Sequence, residues 1–208
     1  MDTIRQIRFV WKPLVFALSL VPFLLVLGDL FLITGDLGAN PVENIQDRFG
    51  NWGLRFILIA LAVTPLRQLT GWNWIQRFRR MLGLFAFFYV LMHFLVWMFL
   101  DQDLTWSAVA EDIVARPFIT IGFAALLILT AMAATSTTGM RRRMGRSWQK
   151  LHNWVYVAAI LGVWHYWWQV KLDASDPAIY ATILAVLLGY RLWSRLRLSR
   201  RREVHASS

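Results

Sequence analysis

The chain is 208 residues long, 58% hydrophobic and 16% charged, with 12 Trp, 14 Phe, no cysteine and a net charge of +10. Those proportions exclude an ordinary soluble domain and fit a compact polytopic membrane protein; the basic residues lie between long apolar runs, so membrane topology explains them and nucleic-acid binding does not. Without cysteine there are no disulfides, thiolate chemistry, iron–sulfur clusters or covalently attached c-type haem, which leaves histidine, with methionine behind it, as the ligand for a redox metal.

The N-terminal segment, MDTIRQIRFVWK followed by an apolar run, superficially resembles a signal peptide. The run is longer than the core of about 7–15 residues that such peptides carry, and no small-residue cleavage site follows, so it reads as a retained first span. Six apolar segments, near 13–32, 52–69, 81–100, 117–135, 151–170 and 177–194, are long enough or nearly so to cross a hydrocarbon core about 30 Å thick. The expected fold is all-α, a six-helix transmembrane bundle forming one domain over 1–208, with 195–208 a basic cytoplasmic tail that is solvated near anionic lipid and disordered at its end. Pro22 and Pro65 fall inside spans, where membrane helices tolerate a kink. Turn signals mark the short loops at Gly35, Gly38, Asn40 and Pro41, and again at Asp176-Pro177. No internal repeat is evident.

Charge sets the expected orientation. With the N-terminus inside, 18 of the 22 basic residues fall on inner segments, and only Arg48, Arg55, Arg116 and Lys171 fall outside. The acids run the other way, with Asp2 and Glu203 alone on the inner side. The positive-inside rule is met at every loop, which gives N-in and C-in.

Histidines are the residues that carry chemistry. His93 lies twelve positions beyond Met81 and His165 fourteen beyond Leu151, so both sit about 18–21 Å from the inner boundary on helices that run outward. Two neutral imidazoles at matched depth can supply both axial positions of a haem iron. Ala158 and Gly162 precede His165 by two turns and one turn on the same face, leaving room for a macrocycle; the bland alternative is a small-residue helix contact. His152 sits at the inner end of the fifth segment beside Trp148, Gln149 and Lys150, and a simple interfacial role stays open for it. The positions facing it on the third segment hold Arg79 and Arg80, which suit propionates or phosphates and not iron. A second, inner haem would need a further ligand, with Met81, Met140, Met144 or water all open. On a straight helix His152 and His165 point roughly 140° apart, so two cofactors there would be offset. His205 reads as inert.

Trp164, Tyr166, Trp167 and Trp168 crowd the outer end of the fifth segment, where an interfacial belt accounts for most of them and a place beside a cofactor or docking surface stays open for some. Neither GxGxxG nor GxxxxGK[ST] occurs, and no paired intramembrane carboxylates point to ion transport, since Asp29 lies close to an outer helix end.

The combination of VTPLR at Val63 to Arg67, RRMLGLFAFFYVLMH at Arg79 to His93, and GRSWQKLHNWVYVAAILGVWHYWW at Gly145 to Trp168 resembles the MsrQ family, also called YedZ, within the ferric reductase-like transmembrane superfamily. The resemblance covers nearly the whole chain. It implies a b-type haem subunit of the bacterial inner membrane, carrying one or two haems. Such a subunit passes electrons from the quinone pool or a cytosolic flavin reductase to MsrP, a periplasmic molybdopterin subunit that reduces methionine sulfoxide in oxidised proteins. The family's haem histidines correspond to His93, His152 and His165, and the family is also associated with FMN. The chain departs at Arg79 and Arg80 from the four-histidine pattern of the related NADPH oxidases, and it has no FAD and NADPH domain, so the donor is expected to be a separate molecule. Arg77, Arg79 and Arg80 are the candidates for propionate or phosphate contacts. The competing readings are a self-contained ferric or quinone reductase, and a small transporter or structural subunit whose histidines pack or relay protons.

Overall fold

A computed structural model describes the backbone at residues 3–170 and 174–206 and the side chains at 4–170 and 174–197. Lys171, expected on the outer side, and the side chains of Arg200, Arg201, Arg202 and His205 in the expected tail lie outside the described residues. Among the described residues all regular structure is helical: α1 (Ile4–Leu30), α2 (Pro41–Thr70), α3 (Asn73–Asp101), α4 (Trp106–Ala115), α5 (Pro117–Ala134), α6 (Thr138–Met144), α7 (Arg146–His152), α8 (Val155–Gln169) and α9 (Ser175–Ala206).

Five of them, α1, α2, α3, α5 and α9, are long and apolar enough to cross a membrane. Large apolar side chains such as Phe9, Leu18, Leu24, Leu127, Val186 and Leu192 stay exposed on these helices. A bundle whose apolar residues face outward as well as inward is one solvated by lipid, and the chain is a multi-pass membrane protein.

The boundaries differ from expectation in four places. Helix α2 begins at Pro41, about three turns before the expected start near residue 52. Its polar opening reads as loop by hydropathy, yet Asn40 caps it by accepting from the Glu43 backbone N–H at 3.4 Å while Pro41 occupies the first turn. Helix α4 lies where no element was expected. The fifth expected crossing is divided: α8 has 15 residues, about 22 Å, and α7 precedes it. Around the division the Trp154 and Tyr156 N–H groups reach back three residues, to Leu151 and Asn153, instead of four. The backbone of 195–206 continues α9, where a disordered end was expected.

Helices α2, α3, α5 and α8 form a closed ring, each packed on its two neighbours in that order, with α1 laid on α2 and α3 and α9 on α2 and α8. Short connections make α2 and α3 antiparallel; Gly71 ends α2 at φ 75°, a left-handed conformation that favours glycine, with its N–H on Arg67 O. Two prolines leave helix carbonyls short of a partner, and long-range side chains answer both regions. Beside Pro22, the fully buried Tyr89 hydroxyl inserts into α1, donating to Ser19 O at 2.6 Å and accepting from Phe23 N–H at 3.2 Å. Pro65 has no N–H for Leu61 O, and Arg191 of α9 donates Nη2 to that carbonyl. At the opposite end of α1, Asp29 pairs with Arg48 and accepts from Thr34 Oγ1 at 2.6 Å, tying α1 to α2.

Candidate functional site

The ring encloses a cavity of about 820 Å³ that opens at the end of the bundle carrying Glu43, Asp47, Asp101 and Arg116. Helices α3 and α8 stand diagonally across it. His93 projects into it from α3 and His165 from α8, with ring centroids 6.0 Å apart and ring planes at 80°.

Both imidazoles are held in the same way. His93 Nδ1 lies 2.8 Å from Gln46 O on α2, and His165 Nδ1 lies 2.7 Å from Phe118 O on α5. A carbonyl only accepts, so each Nδ1 carries the proton and each neutral ring keeps its Nε2 lone pair. Among the described residues neither Nε2 has a hydrogen-bond partner. The Phe118 ring also packs on His165 at 6.1 Å.

Glycines make these contacts sterically feasible. A Cβ on Gly50 would stand 2.9 Å from His93 Nδ1, and one on Gly122 would stand 2.8 Å from His165 Nδ1. Each glycine lies one turn after the carbonyl that accepts from the ring. Gln46, Gly50 and His93 thus recur, seventy-two positions on, as Phe118, Gly122 and His165. Leu54 and Leu126, Ile57 and Leu129, and Phe94 and Tyr166 line the cavity at the same spacing. The α2–α3 and α5–α8 pairs are therefore two versions of one arrangement. The expectation of no internal repeat is corrected to this extent: the repeat is one of position, with the lining residue types mostly changed between copies.

Ala158 and Gly162 line the cavity below His165, as their spacing suggests, and Gly162 leaves ordinary contact distance to Leu54 Cδ1, 3.4 Å from where its Cβ would be. His152, Arg77, Arg79 and Arg80 are not brought into this cavity; they stand at the other, arginine-rich end of the bundle. The His152 ring stacks on Trp148 at 3.8 Å, with Nδ1 3.1 Å from Trp148 O, while Trp148 Nε1 donates to Thr135 O at 2.9 Å. Arg77 and Arg80 are exposed and Arg79 is half-buried.

Sequence reasoning found the two facing histidines and missed Gln46 O, Phe118 O, Gly50 and Gly122. The recurring glycine–histidine spacing was the signal that could have found them. Among the described residues no three His, Asp or Glu side chains gather as a metal site. A pair of opposed imidazoles with a large space between their helices suits a metal that brings its remaining ligands with it, as a macrocycle does.

The sequence model of the family described as "Ferric reductase like transmembrane component" matches residues 49–163. Among curated proteins, the chain is 49% identical to the "Protein-methionine-sulfoxide reductase heme-binding subunit MsrQ" of Xanthomonas euvesicatoria pv. vesicatoria, over 89% of this chain and 87% of that one. It is 50% identical to the protein of the same name from Ralstonia nicotianae, over 86% of this chain and 83% of the relative.

Proposed function

The chain belongs to the MsrQ family of ferric reductase-like transmembrane proteins, and from that premise we propose that it is a b-type haem subunit carrying electrons across the bacterial inner membrane to a periplasmic methionine sulfoxide reductase. The observation that carries this reading is the pair of facing imidazoles, each with Nδ1–H on a helix carbonyl. The rings stand 6.0 Å apart, each with its Nε2 lone pair free, so the two could together hold one iron. The donor set and the space both fit a haem.

His93 and His165 would hold the haem iron through their Nε2 atoms. Gln46 O and Phe118 O fix the tautomer and orientation of the rings, raising the basicity of each Nε2. A bound haem supplies reversible one-electron exchange at its iron. The apolar walls from Leu54, Ile57, Leu126 and Leu129 limit water around it, and the opening beside Glu43, Asp47 and Asp101 is where an acceptor would approach.

The charge distribution supports N-in and C-in, with the cavity in the periplasmic half. Six crossings complete the scheme. Helices α7 and α8 act as one of them, supported by the right-handed helical dihedrals that persist at Asn153 and Trp154. The whole of 1–208 then works as one domain. His152, with Arg77, Arg79 and Arg80, belongs to the cytoplasmic end, where a second haem, or an FMN held by its phosphate, would take electrons from the quinone pool or a cytosolic flavin reductase. The periplasmic acceptor is the molybdopterin subunit MsrP.

The test is spectroscopic and then functional. Purified protein from haem-replete cells should show a Soret band and, when reduced, an α-band, with haem and flavin counted per chain. Mixing the reduced protein with MsrP and methionine sulfoxide should oxidise it, whereas omitting either should not. A colourless preparation would overturn the haem reading, and oxidation by ferric chelates but never by the partner would favour a self-contained ferric reductase.

A further inference from the structure

We propose that Gly50 and Gly122 are positioning residues for the two iron ligands: by lacking a side chain, each opens a helix carbonyl to the Nδ1–H of one imidazole. This rests on the reading of His93 and His165 as ligands. A carbonyl inside an α-helix is already engaged by the N–H four residues on, but its second lone pair can accept another donor if the approach is clear. The residue whose Cβ crowds that approach is the one a turn later. At both acceptors, Gln46 and Phe118, that residue is glycine.

The clearances show what any other residue would do. The hypothetical Cβ at 50 falls 2.9 Å from His93 Nδ1 and 3.2 Å from its Cε1; that at 122 falls 2.8 Å from His165 Nδ1 and 3.0 Å from its Cε1. The atoms met are the hydrogen-bonding nitrogen and its neighbour, so the ring would have to leave its carbonyl to make room. With Nε2 bound to iron the ring has no free direction in which to move. Other glycines on the ring of helices differ. Gly83, on α3, has nothing within 4 Å of where its Cβ would be, and Gly53 faces Val90, a packing contact.

Recurrence strengthens the assignment. The acceptor, the glycine and the histidine keep the same spacing in both helix pairs although the acceptor residue changes from Gln to Phe. A backbone carbonyl needs no particular side chain, so only the glycine and the histidine have to be kept at those two places. Glycine also carries a cost inside a helix, where alanine is the better helix former. At Gly50 and Gly122 that cost is offset by the ligand geometry.

The experiment compares Gly50→Ala, Gly122→Ala and Gly83→Ala in the full-length, haem-loaded protein. Loss of such an outer hydrogen bond typically weakens metal retention about 10–100-fold. Gly50→Ala and Gly122→Ala are expected to retain haem that much less well. Whatever haem remains should show altered low-spin EPR g-values and a higher midpoint potential, because a less basic imidazole favours ferric iron less. Gly83→Ala should match the parent. Parent-like retention, g-values and potential in both variants would overturn the proposal while leaving bis-histidine ligation intact.

A second measurement separates this role from helix packing and does not require haem. The change in melting temperature caused by Gly50→Ala is measured in the haem-free parent and in a His93→Ala background. If the glycine acts through the ring, the substitution lowers the melting temperature of the parent and leaves the His93→Ala protein unchanged or more stable. An equal loss in both backgrounds would assign Gly50 to packing and overturn the proposal. The haem reading itself fails separately, if the parent binds no haem.

Discussion

At the scale of single residues, the site depends on backbone atoms as much as on side chains. His93 and His165 were legible because ionisable residues stand out in apolar helices and their depths match. Their carbonyl partners were not, because Gln46 and Phe118 contribute an atom that every residue has. Tyr89 shows the same principle in the core, where its hydroxyl bridges Ser19 O and Phe23 N–H next to Pro22. Tyr89→Phe keeps the ring contacts and leaves both backbone groups without that partner. We expect a loss of about 1–3 kcal/mol, read as a lower midpoint in reversible unfolding in detergent. An unchanged midpoint would mean that α1 closes its own hydrogen bond when the hydroxyl is gone.

At the scale of elements, hydropathy located the five long apolar helices but not the polar turns attached to them. Glu43, Asn44, Gln46, Asp47 and Arg48 make the start of α2 look like loop, yet those turns place Gln46 O and Gly50 against His93. The division before α8 was hidden because neither Asn153 nor Trp154 is a proline or glycine that would mark a break. One join between α9 and α2 depends on Pro65: without its N–H, Leu61 O accepts from Arg191, whose guanidinium also lies over the Tyr156 ring at 5.0 Å. Arg191→Met should therefore destabilise the parent more than it destabilises a Pro65→Ala background, in which the restored N–H can serve Leu61 O. Equal losses in the two backgrounds would show that Arg191 contributes through its ring contact alone.

Across the whole molecule, two helix pairs of matching plan, α2–α3 and α5–α8, enclose the cavity, and α1 and α9 cover the outside. The proposed six-crossing plan and its orientation rest on hydropathy and charge, and the proposed haem site on the pairing of the two halves. His152 stands outside that pairing. At the position corresponding to it in the first half the sequence has Arg80, and the cavity that holds His93 and His165 does not reach either residue. Under the proposed function, His152→Ala should keep a haem held by His93 and His165, with its spectrum unchanged, while any loss of haem, flavin or donor-driven reduction would report on the arginine-rich end. Loss of the whole Soret band in that variant would mean that the two ends of the bundle do not bind independently.

The most direct test of the central claim is haem content and ferric spin state in purified His93→Ala and His165→Ala beside the parent. The parent is expected to be six-coordinate and low-spin, and each variant to show either loss of haem or conversion of the remaining haem to high spin. Full occupancy with a parent-like low-spin spectrum in both variants would contradict that claim.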